Sequence, residues 1–116
     1  MMASIAKAVE DARAFLNDRK QPYRYEDADL VQYANEAFAT MFRLRPDFRL
    51  YGAVPSFDPA VMTAELPSFV EAEGYYPAFV DYVVHRALMR DDQYMDGGIS
   101  ALLVEKFRAQ LIGTGA

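Results

Sequence analysis

Apolar residues recur at intervals of three and four over four stretches of this chain and lose that rhythm over one long stretch in the middle. In residues 3–17, Ile5, Ala8, Val9, Ala12, Phe15 and Leu16 lay a single stripe along a helix. Pro22 follows a polar run and turns the chain, because the residue before a proline is pushed out of the helical region. A second helix opens near Glu26, where Asp27 and Asp29 suit the positive end of the helix dipole. Its stripe is Leu30, Tyr33, Ala34, Ala37, Phe38, Met41 and Leu44, and Pro46 stops it. A third starts at Pro77, since a proline in the first turn loses no hydrogen bond, and runs to about Arg90. Phe79, Val80, Val83, Val84, Ala87 and Leu88 give it a broad apolar face, which implies burial on more than one side. The last helix carries Ile99, Leu102, Leu103, Phe107 and Leu111. Gly97 and Gly98 either kink it or leave it to begin at Ile99, because a glycine costs about 1 kcal/mol against alanine in a helix interior. The expected fold is mainly α, a small bundle of about four helices in one domain.

Residues 47–74 break the pattern. A structureless connection of this length is uncommon inside a compact domain and is usually disorder, a lid or a binding arm. Its content argues against disorder, because Phe48, Leu50, Tyr51, Val54, Phe57, Val61, Met62, Leu66, Phe69 and Val70 are too many apolar groups to leave in water. The stretches 48–51 and 61–66 each alternate briefly, and the link Val54-Pro55-Ser56-Phe57-Asp58-Pro59 carries turn residues, so a short β-hairpin or a long loop is expected here. The surplus apolar groups need a surface, and a neighbouring subunit is the candidate that a small helical core suggests.

Composition narrows the function classes. With 116 residues, 53% of them hydrophobic and 25% charged, the chain is the size and balance of one ordinary globular domain. A net charge of -5 weakens tight duplex binding, which draws its affinity from Lys and Arg on phosphates, yet suits loose passage of DNA past an acidic surface. The absence of cysteine excludes a disulfide framework, a thiolate zinc site and a cysteine nucleophile. No apolar h-region follows the start and no run approaches a membrane span, so synthesis in a cytoplasm is expected.

Candidate chemistry is sparse. His85 is the sole histidine and Asp81 precedes it by one helical turn, a spacing at which a base and its orienter can meet. No nucleophile accompanies them, and a surface pair is the plainer reading. Asp91, Asp92 and Asp96 lack the alternating pattern and distal Glu of a calcium loop and read as helix caps. Glu65, Glu71 and Glu73 read as a charged rim. Arg43, Arg45 and Arg49 form the basic cluster, with Arg24 upstream, and pairing with carboxylates of an adjoining subunit is preferred to phosphate contact. Eight tyrosines supply contact area with a polar tip, mostly at core edges. No phosphate loop, metal-protease motif or RNA-binding signature is present. No catalytic residue, cofactor or metal is expected.

The order of pieces is nonetheless distinctive. An Ala-Arg-x-Phe-Leu-Asn-Asp run, residues 12–18, precedes an aromatic-Arg-Tyr entry into a Leu-x-x-Tyr-x-Asn-Glu-Ala helix that ends in Arg-Leu-Arg-Pro-Asp, residues 43–47. After Glu65-Leu66-Pro67 the chain gives Tyr-Pro-Ala-Phe-Val-Asp-Tyr-Val-Val-His-Arg-Ala-Leu, residues 76–88, and then Asp91-Asp92. Over nearly its whole length this resembles the small head-tail adaptor, or connector, proteins of tailed bacteriophages, through packing motifs and not catalytic ones. The resemblance implies a four-helix subunit in a ring of twelve beneath the portal, joining it to the tail or nozzle and lining a channel for double-stranded DNA. It implies a place in the virion at the head-tail interface after synthesis in a bacterial cytoplasm, with no membrane partner. A closed ring repeats one heterologous interface, and permanent interfaces of this kind bury on the order of 2,000 Å² or more of apolar surface. The residues expected at the subunit or partner contact are Arg43, Arg45, Arg49, Tyr51, Val54, Phe57, Val61, Met62, Leu66 and Phe69. The rival expectation is a small hydrolase-like cytoplasmic enzyme that uses Asp81 and His85, with residues 47–74 as its lid.

Overall fold

Ser4 opens the first helix by accepting the Lys7 amide on its hydroxyl at 3.2 Å, and Asn17, in the left-handed region at φ 56°, closes it. The chain is described here from a computed structural model, over residues 4–18, 25–90 and 97–112. In order it forms α1 (Ile5–Leu16), α2 (Asp27–Leu44), a 3-10 helix (Pro46–Tyr51), α3 (Ser68–Ala72), α4 (Tyr76–Arg90) and α5 (Gly97–Ile112). The fold is mainly helical, as the periodicity implies. Helix α4 is the centre of the bundle: it packs most widely on α5, then on α2 and α1. That is why Ala78, Phe79, Val80, Val83, Val84 and Ala87 are all buried and its apolar face is so broad. Gly97 and Gly98 fall in the first turn of α5, so neither interrupts its interior. Phe15, placed in the α1 stripe by its spacing, stands out of the core at 55% exposure.

The middle of the chain is where expectation and structure part. Residues 48–51 are not a strand: Pro46 presets a helical turn, and Phe48 N–H donates to Arg45 O at 2.9 Å. In a strand Phe48 and Leu50 would share a face. In the 3-10 helix Phe48 and Tyr51 share one, and Leu50 is turned to solvent. Gly52, at φ 144°, lets the chain leave it. The other half of the expected hairpin pairs elsewhere. Glu65 bridges Ser4 in antiparallel fashion, Ile5 N–H donates to Ala64 O at 2.9 Å, and Ala6 N–H donates to Met62 O at 3.0 Å. These two amides belong to the first turn of α1 and have no partner inside that helix, so the pairing satisfies both sides. Helix α3 follows Pro67 and ends at Ala72, and the turn after it passes through Gly74, whose φ of 79° admits glycine most readily.

Most of the apolar surplus in residues 47–74 is absorbed within the chain. Phe48, Leu66, Phe69 and Val70 are buried in its core, and Val54, Phe57 and Met62 pack against it half-buried. Phe48, Phe69 and Tyr75 form an aromatic cluster with centroids 5.0 to 6.5 Å apart, with Phe42 at its edge. Phe38 joins Phe57 to the bundle, its ring 5.7 Å from Phe57 and 4.7 Å from Phe79. Leu66 and Phe69, expected at a contact with a neighbouring subunit, are buried within the chain's own core.

Candidate functional site

Four polar clamps hold this arrangement. Buried Arg13 donates through Nη1 to Asp18 Oδ2 at 3.0 Å and to Tyr25 O at 2.7 Å, and through Nη2 to Asp27 Oδ1 at 2.6 Å. Asp18 in turn accepts the Tyr25 amide at 3.0 Å, so the entry into α2 is stitched to the exit from α1. Asn35 does the same for the central segment, accepting Phe57 N–H at 2.8 Å and donating to Phe57 O at 3.0 Å. Next to it Glu36 receives Arg86 Nε at 2.7 Å, tying α2 to α4. Arg45 forks onto Asp47 at 2.9 and 2.8 Å, lies 4.9 Å from the Phe48 ring, and reaches Tyr75 Oη and the carbonyl of Leu111 at the end of α5. Arg13, Asp18, Asn35, Glu36, Arg45, Asp47 and Arg86 all lie in the runs 12–18, 30–37, 43–47 and 76–88. Their work here is tertiary clamping.

The basic cluster consequently separates into three fates. Arg45 is tied down within the chain and is held more firmly protonated by its bond to Asp47, whose own carboxyl is pulled down by the same contact. Arg49 is exposed beside Leu50, which at 90% is the most exposed large apolar side chain described, and Tyr51, at 57%. Tyr51 still stacks on Phe69 at 4.7 Å and 13°, so the outward edge of the 3-10 helix is pinned from beneath. Val61 is also exposed. Arg43 points elsewhere, into a cleft.

That cleft, of about 210 Å³, lies between α2, α4 and α5, with Thr40, Arg43 and Leu44 on one side, Tyr82 and His85 on another, and Phe107 and Arg108 on the third. Asp81 is not among its lining residues. Its carboxylate is buried against α5, where Lys106 Nζ stands 3.4 Å from Oδ2 without hydrogen-bond geometry. Burial pushes the Asp81 carboxyl above the usual carboxylate range, with the Lys106 charge opposing. Asp81 and His85 thus lie on one helix, but only His85 lines the cleft. Among the described residues no group of three His, Asp or Glu side chains is placed to hold a metal. Glu65 and Glu73 are exposed, Asp91, Asp92, Asp96, Arg24, Tyr23 and Tyr94 lie outside the described residues, and so does the side chain of Glu71. No described helix is long and apolar enough to cross a membrane.

Compared with known proteins, the chain matches no family model, no curated protein and no solved structure.

Proposed function

We propose that the chain is a structural, non-enzymatic ring subunit of the phage head-tail adaptor kind, seated between portal and tail and passing double-stranded DNA without gripping it. The observation that carries the reading is the outward edge of the 3-10 helix. Leu50 and Tyr51 present apolar surface beside Arg49, on a turn anchored by buried Phe48 and by the Tyr51–Phe69 stack. Two large apolar side chains held this firmly in water have the character of the centre of a protein contact. The small helical bundle, the net charge of -5 and the use of the shared motif residues as clamps all support the same reading. The contact set is accordingly narrower than the sequence suggests, with Arg49, Leu50, Tyr51 and Val61 at its core.

The test is a pair of surface substitutions, Leu50→Lys and Tyr51→Lys, assayed by electron microscopy of the chain mixed with the portal ring and by infectivity. Ring attachment is lost while the helical circular-dichroism spectrum is retained. Normal virions carrying both substitutions would refute the proposal. A second proposal, an acid-base enzyme using Asp81 and His85, has in its favour the seat of His85 at the cleft. Against it, Asp81 faces Lys106. Turnover abolished by His85→Gln in a chain that never joins a portal would select it.

A further inference from the structure

Six arginine side chains are described, and they divide by partner. Arg13 pairs with Asp18 and Asp27, Arg45 with Asp47, and Arg86 with Glu36. Arg43, Arg49 and Arg108 have no ion pair among the described residues, and two of these three, Arg43 from the last turn of α2 and Arg108 from α5, line the same cleft. The acid one turn beyond Arg43 cannot neutralise it, because Arg45 holds both oxygens of Asp47. Among the described residues no carboxylate lines the cleft, which makes it a local reversal of sign in an acidic chain.

The uncharged groups are placed to finish an anion site. Thr40 donates its hydroxyl to Tyr82 Oη at 3.4 Å, which leaves the phenol O–H to donate to something else. His85 also lines the cleft, and Leu44 and Phe107 supply an apolar wall that lowers the local dielectric and strengthens each charge contact. Two guanidinium forks suit an anion with several oxygens better than a point charge would. A cleft of about 210 Å³ is smaller than the roughly 300–1,000 Å³ of pockets that enclose drug-sized ligands, so its occupant is a compact group.

We propose that the cleft between α2, α4 and α5 binds a phosphate group, either as the free ion or as the tip of a small phosphomonoester. The proposal stands on the cleft alone and does not depend on ring assembly. It is tested by NMR titration of the full chain with inorganic phosphate and, separately, with methyl phosphate, at constant ionic strength against chloride. Saturable shifts are expected at Thr40, Tyr82 and His85, and whichever anion binds more tightly identifies the source. Arg43→Gln with Arg108→Gln weakens binding roughly tenfold or more. Both side chains are exposed, so the fold tolerates the change, and Tyr82→Phe, which removes one hydroxyl and keeps the ring, weakens binding several-fold. Arg49→Gln, outside the cleft, leaves it unchanged. Linear shifts that never saturate, an equal response to chloride, or undiminished binding in the double variant would each overturn the proposal.

Discussion

Arg13 lies buried at the junction of α1 and α2 with two carboxylates and a carbonyl around it, whereas Arg43 and Arg108 stand at an open cleft with none among the described residues. The same side chain serves opposite ends. Where the guanidinium is removed from water every N–H must be matched, and the match then fixes the path of the chain. Where it stays in water it can wait for a ligand at little cost. Asp81 falls between the two: it is buried like Arg13, but its one nearby cation is poorly aligned.

The sharpest way to break this contrast is Arg13→Met. It takes the Arg13 guanidinium away from the buried Asp18 carboxylate, and a loss of about 3–5 kcal/mol in urea unfolding is expected. Pairing it with Asp18→Leu should return much of that loss, because the carboxylate then left without Arg13, Asp27, is exposed to water. Next comes Asn35→Ala, which deprives both Phe57 backbone groups of their partner and should cost about 1–3 kcal/mol by the same assay.

Asp81→Asn should act in the other direction. The folded protein holds the Asp81 proton more tightly than the unfolded chain does, so the carboxyl contributes most to stability below its ordinary value of 3.8 and loses that contribution as pH rises through the raised one. The variant therefore gains on the wild type as pH increases from 3.8 and levels off above the folded-state value. A gap that shrinks over that range would mean that Lys106 outweighs burial. Least affected of all is Arg43→Gln with Arg108→Gln, where a change within about 0.5 kcal/mol is expected because both side chains are exposed and neither has an ion pair among the described residues.

How much of this can be read from the chain depends on how local the cause is. The four long helices follow from apolar spacing and from Pro46 and Pro77, which act on their immediate neighbours. Residues 48–51 mislead because four residues fit either period, and the deciding factor is Phe48 reaching Phe69 and Tyr75. Helix α3, five residues long, is too short to show a stripe. The Asn35–Phe57 and Glu36–Arg86 clamps join positions 22 and 50 apart, which no spacing rule reaches. Arg13 did leave a signal. It lies four residues after Val9 and three before Leu16, so it sits within the apolar stripe of α1, and a cation there requires a buried anion. The cleft had none: Thr40, Tyr82 and Arg108 come from three helices, and only their packing brings them together.

The amides of Ile5 and Ala6 are bonded to Ala64 and Met62, not within their own helix. Their exchange with deuterated solvent is thus controlled by detachment of the segment 62–65, and the opening turn of the chain and its midpoint unlatch as one cooperative unit despite the nearly sixty residues between them.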